Sequence, residues 1–184
     1  MKMATRSVVL VAMALLCLGA VSAARTGAKG AVWPALSNCQ QKADTTAFRV
    51  KSNTTTALPG NTVCFGFSAV SAPSGNCGKA TTLERVAIWA SHASRTAING
   101  YSIRTATTTT AVSGTWAKKG DSSDELTFSK LGWTAQWVAA NSPRICLTLD
   151  HDVTLDDICV GKKCVVALYS VGAKNAKCCP VYQI

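Results

Sequence analysis

The chain has 184 residues, 48% of them hydrophobic, and carries 19 Lys and Arg against 9 Asp and Glu, a formal net charge of +10. That length supports one domain with a packed core, and nine cysteines are too few for a scaffold held by bridges alone. The basic excess points to acidic partners (polyanionic glycans, anionic surfaces, nucleic acid) or to solubility alone.

Lys2 and Arg6 precede an apolar stretch, VVLVAMALLCLGAV, from Val8 to Val21, and Val21 and Ala23 form a small-residue pair before Ala24. This order predicts a secretory signal peptide over residues 1–23. The stretch falls short of the ~18–20 residues of a spanning helix, so no membrane span is expected after cleavage. An exported protein is not expected to meet nucleic acid. Without Lys2 and Arg6 the balance is 17 basic against 9 acidic side chains, or +8. The local basic concentrations are Lys118 with Lys119, Lys162 with Lys163, and Lys174 with Lys177.

Residues 24–37 read as an N-terminal lead-in without sustained periodicity, and residues 38–184 as one domain. TAFRVKS alternates around Phe48 and Val50, and NTVCFGFSAV sets Val63, Phe65 and Phe67 on one face with Cys64 on the other. TLERVAIWAS alternates through Val86, Ile88 and Ala90, YSIRTATTTTAVSGTW is rich in β-branched residues, and ELTFSKLGW pairs Leu126 with Phe128. GWTAQWVAAN reads equally as strand or helix. CLTL follows, then TLDDIC, where Thr154 is placed to cap a short helical turn with acids in it, then CVVALYS. Clusters of Gly, Pro, Asn and Ser separate these runs. The expected fold is mainly β, an antiparallel sandwich-like single domain with little helix, reinforced by disulfides.

Cys17 leaves with the signal, and eight cysteines remain: Cys39, Cys64, Cys77, Cys146, Cys159, Cys164, Cys178 and Cys179. An even number in an exported chain predicts full pairing, with 105 possible connectivities. Adjacent Cα atoms lie about 3.8 Å apart, too close for an ordinary bridge, so Cys178 and Cys179 are expected to bond to two different partners. Zinc is the sharper alternative, since Cys159 and Cys164 are near His151, but no paired C-x-x-C or Cys₂His₂ pattern accompanies them. No cofactor is expected.

The segments CLTL, TLDDIC, CVVALYS and CCP together resemble the end of the pherophorin domain, a family of extracellular-matrix glycoproteins of volvocine green algae. NTVCFGFS and NCGKATTLERVAIWA resemble its earlier strands, so the likeness covers roughly Asn38 to Val181. The chain departs from the family pattern where Gln40 and Gln41 follow Cys39, where Gly78 follows Cys77, in the cysteine-free WASHASRTAING, and at Val153. Four cysteines are thus missing while the number stays even, consistent with loss as two bonded pairs. The hydroxyproline-rich rod that joins globes in many members has no counterpart here. The resemblance implies a secreted, non-enzymatic structural glycoprotein of the extracellular matrix or cell wall, partnered by matrix polysaccharide or matrix glycoproteins. A soluble signalling or defence factor binding a specific receptor or glycan is the alternative. The oligomeric state is left open.

Asn53-Thr54-Thr55 is an N-glycosylation sequon, and the Thr105–Thr110 tract reads either as O-glycan acceptors or as strand. Among five tryptophans, Trp33, Trp89, Trp116, Trp133 and Trp137, Trp116 beside Lys118 and Lys119 is the candidate for stacking on a sugar ring; the others are expected in the core. Lys118, Lys119, Lys162, Lys163, Lys174 and Lys177 are the candidate polyanion contacts. His151 among Asp150, Asp152, Asp156 and Asp157 reads as a solvated turn rather than an acid–base centre, and His92 as a surface or satisfied histidine. No catalytic residue or metal ligand is assigned.

Overall fold

The computed structural model describes residues 39–51, 60–117 and 124–184, apart from the side chain of Lys162. The expected signal peptide (1–23) and lead-in (24–37), with Trp33, and also Asn53, Lys118 and Lys119 lie outside the described residues. Two antiparallel sheets form the domain. The first contains β1 (Phe48–Val50), β2 (Thr62–Ala69), β8 (Arg144–Leu149), β4 (Ile98–Arg104) and β5 (Thr109–Ala111) in that spatial order. The second runs β10 (Lys177–Cys178), β9 (Val165–Val171), β3 (Thr82–Ile88), β7 (Leu126–Thr134), β6 (Thr115–Trp116), with β11 (Val181–Gln183) also paired to β9. Two short helices, α1 (Ala135–Asn141) and α2 (Leu155–Ile158), flank β8 in the chain.

The alternation written into the strands decides which side faces in. In the first sheet Phe65, Ile145 and Ile103 are register partners, and all three belong to or pack against the core. In the second, Val86 pairs with Phe128 and Leu168, and Ile88 with Leu126 and Val166, all buried. Edge-on ring contacts join the layers: Phe67 meets Trp133 at 5.8 Å and Tyr101 meets Phe128 at 5.6 Å between centroids. The core is therefore the space between two sheets, the architecture of a β-sandwich.

In TLERVAIWAS the buried Leu83 stands three residues before the buried Val86, out of step with the alternation from Val86 onward, and this offset has a structural cause. Leu83 pairs with Trp133, but Arg85 pairs with Ser129, so the register shifts between them. Lys130 (φ 61°) and Gly132 (φ 58°) absorb the extra residues of β7 in left-handed conformation. Such a bulge moves Trp133 into phase with the core despite its odd spacing from Phe128. GWTAQWVAAN proves to be both elements. The strand runs to Thr134, whose hydroxyl accepts from Trp137 N–H at 3.1 Å to open α1, and Ser142 (φ 42°) before Pro143 closes it. At α2 the carboxylate of Asp157 accepts from the N–H and hydroxyl of Thr154 at 3.0 and 2.8 Å, the cap expected from TLDDIC.

Four disulfides reinforce the sandwich: Cys64–Cys146, Cys159–Cys164, Cys77–Cys178 and Cys39–Cys179. The first joins directly opposed residues of β2 and β8, both fully buried. The second closes the short link between α2 and β9, so neither of its sulfurs is a free thiolate for zinc.

Candidate functional site

The two remaining bridges converge on the C-terminal segment. Cys178 bonds Cys77 and Cys179 bonds Cys39, with Cα separations of 5.7 and 5.9 Å. Neighbouring residues of an extended chain point their side chains in opposite directions, so the adjacent cysteines reach two distant parts of the fold. Main-chain bonds complete the knot. Gln40 N–H donates to Lys177 O at 3.0 Å, Cys179 N–H to Gln40 O at 3.0 Å, and Val181 N–H to Gln41 O at 3.0 Å. On the other side, Ala173 N–H donates to Asn76 O at 3.0 Å. A Cβ on Gly172 would strike the Asn76 carbonyl, and one on Gly78 the Pro73 carbonyl, so backbone packs directly on backbone.

This knot carries charge of one sign. Its three segments, residues 39–42, 70–81 and 171–181, contain Lys42, Lys79, Lys174 and Lys177 and no Asp or Glu. All four lysines are exposed. The ion pairs among the described residues are Arg49–Asp44 and His151–Asp152, so none of the four is neutralised by a salt bridge there. Lys79 stands two residues from Cys77 and Lys177 one from Cys178, which limits their Cα separation to about 17 Å. Lys42 is as close to Lys177 through the Gln40 pairing. Their potentials therefore overlap over a distance comparable with two Debye lengths at ~0.15 M salt.

Lys174 is displayed in a particular way. With Asn175 it occupies the tip of the β9–β10 hairpin, both residues left-handed at φ 55° and 57°, and Ala176 N–H donates to Ala173 O at 3.1 Å to close the turn. That turn favours Asn and Gly at its centre, and a lysine there costs on the order of 1 kcal/mol. The exposed apolar side chains Val171, next to the hairpin, and Val70, at the start of the loop leading to Cys77, belong to the same segments.

The other expected contacts do not gather here. Lys163 is exposed at the opposite end of β9, beside the chain terminus, where Ile184 N–H donates to Cys164 O at 2.8 Å. The length of β9 separates it from Lys174 by roughly 20 Å. Lys42 and Lys79 are isolated in sequence, and only the disulfide connectivity reveals that they join Lys174 and Lys177.

Trp116 is half-buried rather than free. Its indole N–H donates to the Tyr101 hydroxyl at 2.9 Å, and its ring meets His92 edge-on at 6.0 Å between centroids. His92 opens a short 3-10 turn and its backbone N–H donates to Asp124 at 3.0 Å. Trp89 and Trp137 are half-buried and Trp133 buried. His151 and Asp152 are paired at 2.8 Å with both side chains almost fully exposed. The Asn61 amide donates to the carbonyls of Asp150, His151 and Val153 and fixes that turn. Among the described residues no group of three His, Cys, Asp or Glu is placed to hold a metal. None of their helices is long and apolar enough to cross a membrane.

On the outer face of the second sheet, the Arg85 guanidinium lies 3.6 Å from the centroid of the opposed Tyr169 ring. Burial, helped by the charge of Glu125 and opposed by Arg85, pushes the Tyr169 phenol up to about 12. Burial also raises Tyr182, whose hydroxyl donates to Phe48 O at 3.1 Å.

No curated protein and no solved structure matches the chain. The family model described as Pherophorin matches residues 33–180, a span that takes in all four disulfides and every strand of the two sheets except β11. The chain belongs to the Pherophorin family.

Proposed function

We propose that this chain is a non-enzymatic structural protein of the algal extracellular matrix, a secreted globe that associates with acidic wall polysaccharide through its disulfide knot. Membership of the family supports the matrix role. The observation that carries the partner class is the knot itself: four exposed lysines, no carboxylate in the same three segments, and a backbone held by two disulfides and direct main-chain pairing. Polyuronates and sulfated glycans present closely spaced anions along a chain. A rigid cluster of ammonium groups attracts such a polymer without first ordering its own backbone.

Stepwise salt extraction of the host's matrix tests this reading. The protein is expected in the matrix fraction and is expected to leave it as salt rises and the charges are screened. Recovery only in the medium would contradict it and favour a soluble factor, and retention in the matrix undiminished by high salt would contradict attachment through the lysines and favour a packed interface.

A further inference from the structure

We propose that the β4–β5 hairpin is an O-glycosylation site, with sugars attached to Thr107, Thr109 and Thr110. β5 is the last strand of its sheet and pairs only with β4, through Ser102–Ala111, Ile103–Thr110 and Arg104–Thr109. Residues 106–111 are all exposed, so no described part of the protein covers this edge. Open edges are ordinarily guarded by Lys, Pro, a bulge or a covering segment, because unpaired N–H and C=O groups template pairing with another chain. From Thr105 to Ala117 there is no charged residue and no proline. The residues present instead are β-branched threonines, which favour strand pairing, and the shortness of β5 is the one visible safeguard.

The hydroxyls divide into two kinds. Thr105 and Thr108 are used internally: their Oγ1 atoms lie 2.9 Å apart, and Thr105 Oγ1 accepts from the N–H groups of Thr107 and Thr108. These bonds hold the turn rigid. Among the described residues, the hydroxyls of Thr107, Thr109 and Thr110 have no partner and face water. Thr109 lies opposite Arg104 on the outer face, while Thr110 lies opposite Ile103 at the rim of the core. A sugar on either one stands beside the open edge and blocks a second strand from docking, supplying what the sequence lacks in charge.

The chemistry is ordinary glycosyl transfer by a host enzyme of the secretory route. The threonine Oγ1 attacks the anomeric carbon of a nucleoside-diphosphate sugar, a C–O bond forms, and the bond from that carbon to phosphate breaks. The nucleoside diphosphate leaves, and the hydroxyl proton passes to the transferase base. The inference therefore rests on the secreted reading, and its test separates the two.

Trypsin cleaves after Arg104 and Lys118, releasing residues 105–118 as one peptide that contains no asparagine. Any sugar on it is O-linked. In protein purified from the host, electron-transfer fragmentation is expected to place hexose or pentose on Thr107, Thr109 or Thr110. A bare peptide accompanied by a glycan at Asn53 would overturn this proposal while leaving secretion intact. Both sites bare would overturn the proposal and count against secretion as well. Sugar confined to Ser113 or Thr115 would also overturn it. So would a bare peptide with concentration-dependent dimers abolished by Thr110→Pro, which would make the edge an interface between copies.

Discussion

Ala173 N–H donates to the carbonyl of Asn76 at 3.0 Å, which sets the β9–β10 hairpin main chain to main chain against the loop before Cys77. The residue between the hairpin strand and that bond is Gly172, where a Cβ would also come within 3.1 Å of Cys77 Cα. Gly172→Ala is expected to push the hairpin off the loop and cost about 1–3 kcal/mol, the range for overpacking a tight site. Thermal unfolding reads this against Gly100→Ala, where an added Cβ meets nothing within 4 Å. Equal midpoints for the two variants would show that the knot has slack.

Lys174 sits in left-handed backbone with its side chain in water. Glycine adopts that conformation without steric cost. Lys174→Gly is expected to raise stability by up to about 1 kcal/mol while weakening polyanion binding. Opposite signs for the two readouts would mark a lysine kept for contact rather than folding. A variant that loses stability as well as binding would contradict this.

Ser170 is buried at 4% exposure, and among the described residues its hydroxyl has no hydrogen-bond partner. An orphaned buried hydroxyl costs roughly 1–3 kcal/mol of desolvation. Ser170→Ala is therefore expected to stabilise the protein by about 1 kcal/mol in chemical denaturation. A clear loss of stability would mean that the hydroxyl has a partner after all.

Tyr169 predicts the alkaline limit. Its phenol ionises near 10 in the unfolded chain and about 12 in the fold. Between those values the unfolded chain has lost a proton that the folded one keeps, so stability is intact below pH 10 and falls as pH rises toward 12. Tyr182 is shifted in the same direction. Denaturation curves across that window should show a shallower decline for Tyr169→Phe than for the unchanged protein. Parallel declines would place the alkaline sensitivity elsewhere.

Much of this fold was legible because strand alternation and helix capping are local. Phe65, Phe67, Val86, Ile88, Leu126 and Phe128 face the core as their spacing predicts, and Thr154 caps α2 with Asp157. The β7 bulge was not legible as such, since the left-handed Lys130 and Gly132 mark the sequence only through a break in alternation, at Leu83 in the partner strand and between Phe128 and Trp133 in β7 itself. The site was half legible for a related reason. Proximity in sequence suggested Lys174 with Lys177, but it equally suggested Lys162 with Lys163, which β9 carries to the other end of the domain. Lys42 and Lys79 enter the cluster through bridges spanning 140 and 101 residues, and no sequence rule selects those two pairings from the alternatives. The polar neighbours of Trp116 in the sequence suggest an exposed ring, whereas the hydroxyl that holds its indole comes from Tyr101, which β4 brings in from 15 residues away.

The most direct measurement is binding of the protein to immobilised polygalacturonate and dextran sulfate at low and high salt. The variant replaces Lys42, Lys79, Lys174 and Lys177 with Gln, and Lys163→Gln serves as the control. Four exposed charges at a few tenths of a kcal/mol each predict about tenfold weaker binding for the variant, little change for the control, and convergence of all three proteins at high salt. Undiminished binding by the four-lysine variant, in a protein whose unfolding is unchanged, would contradict the assignment of the knot as the polyanion site.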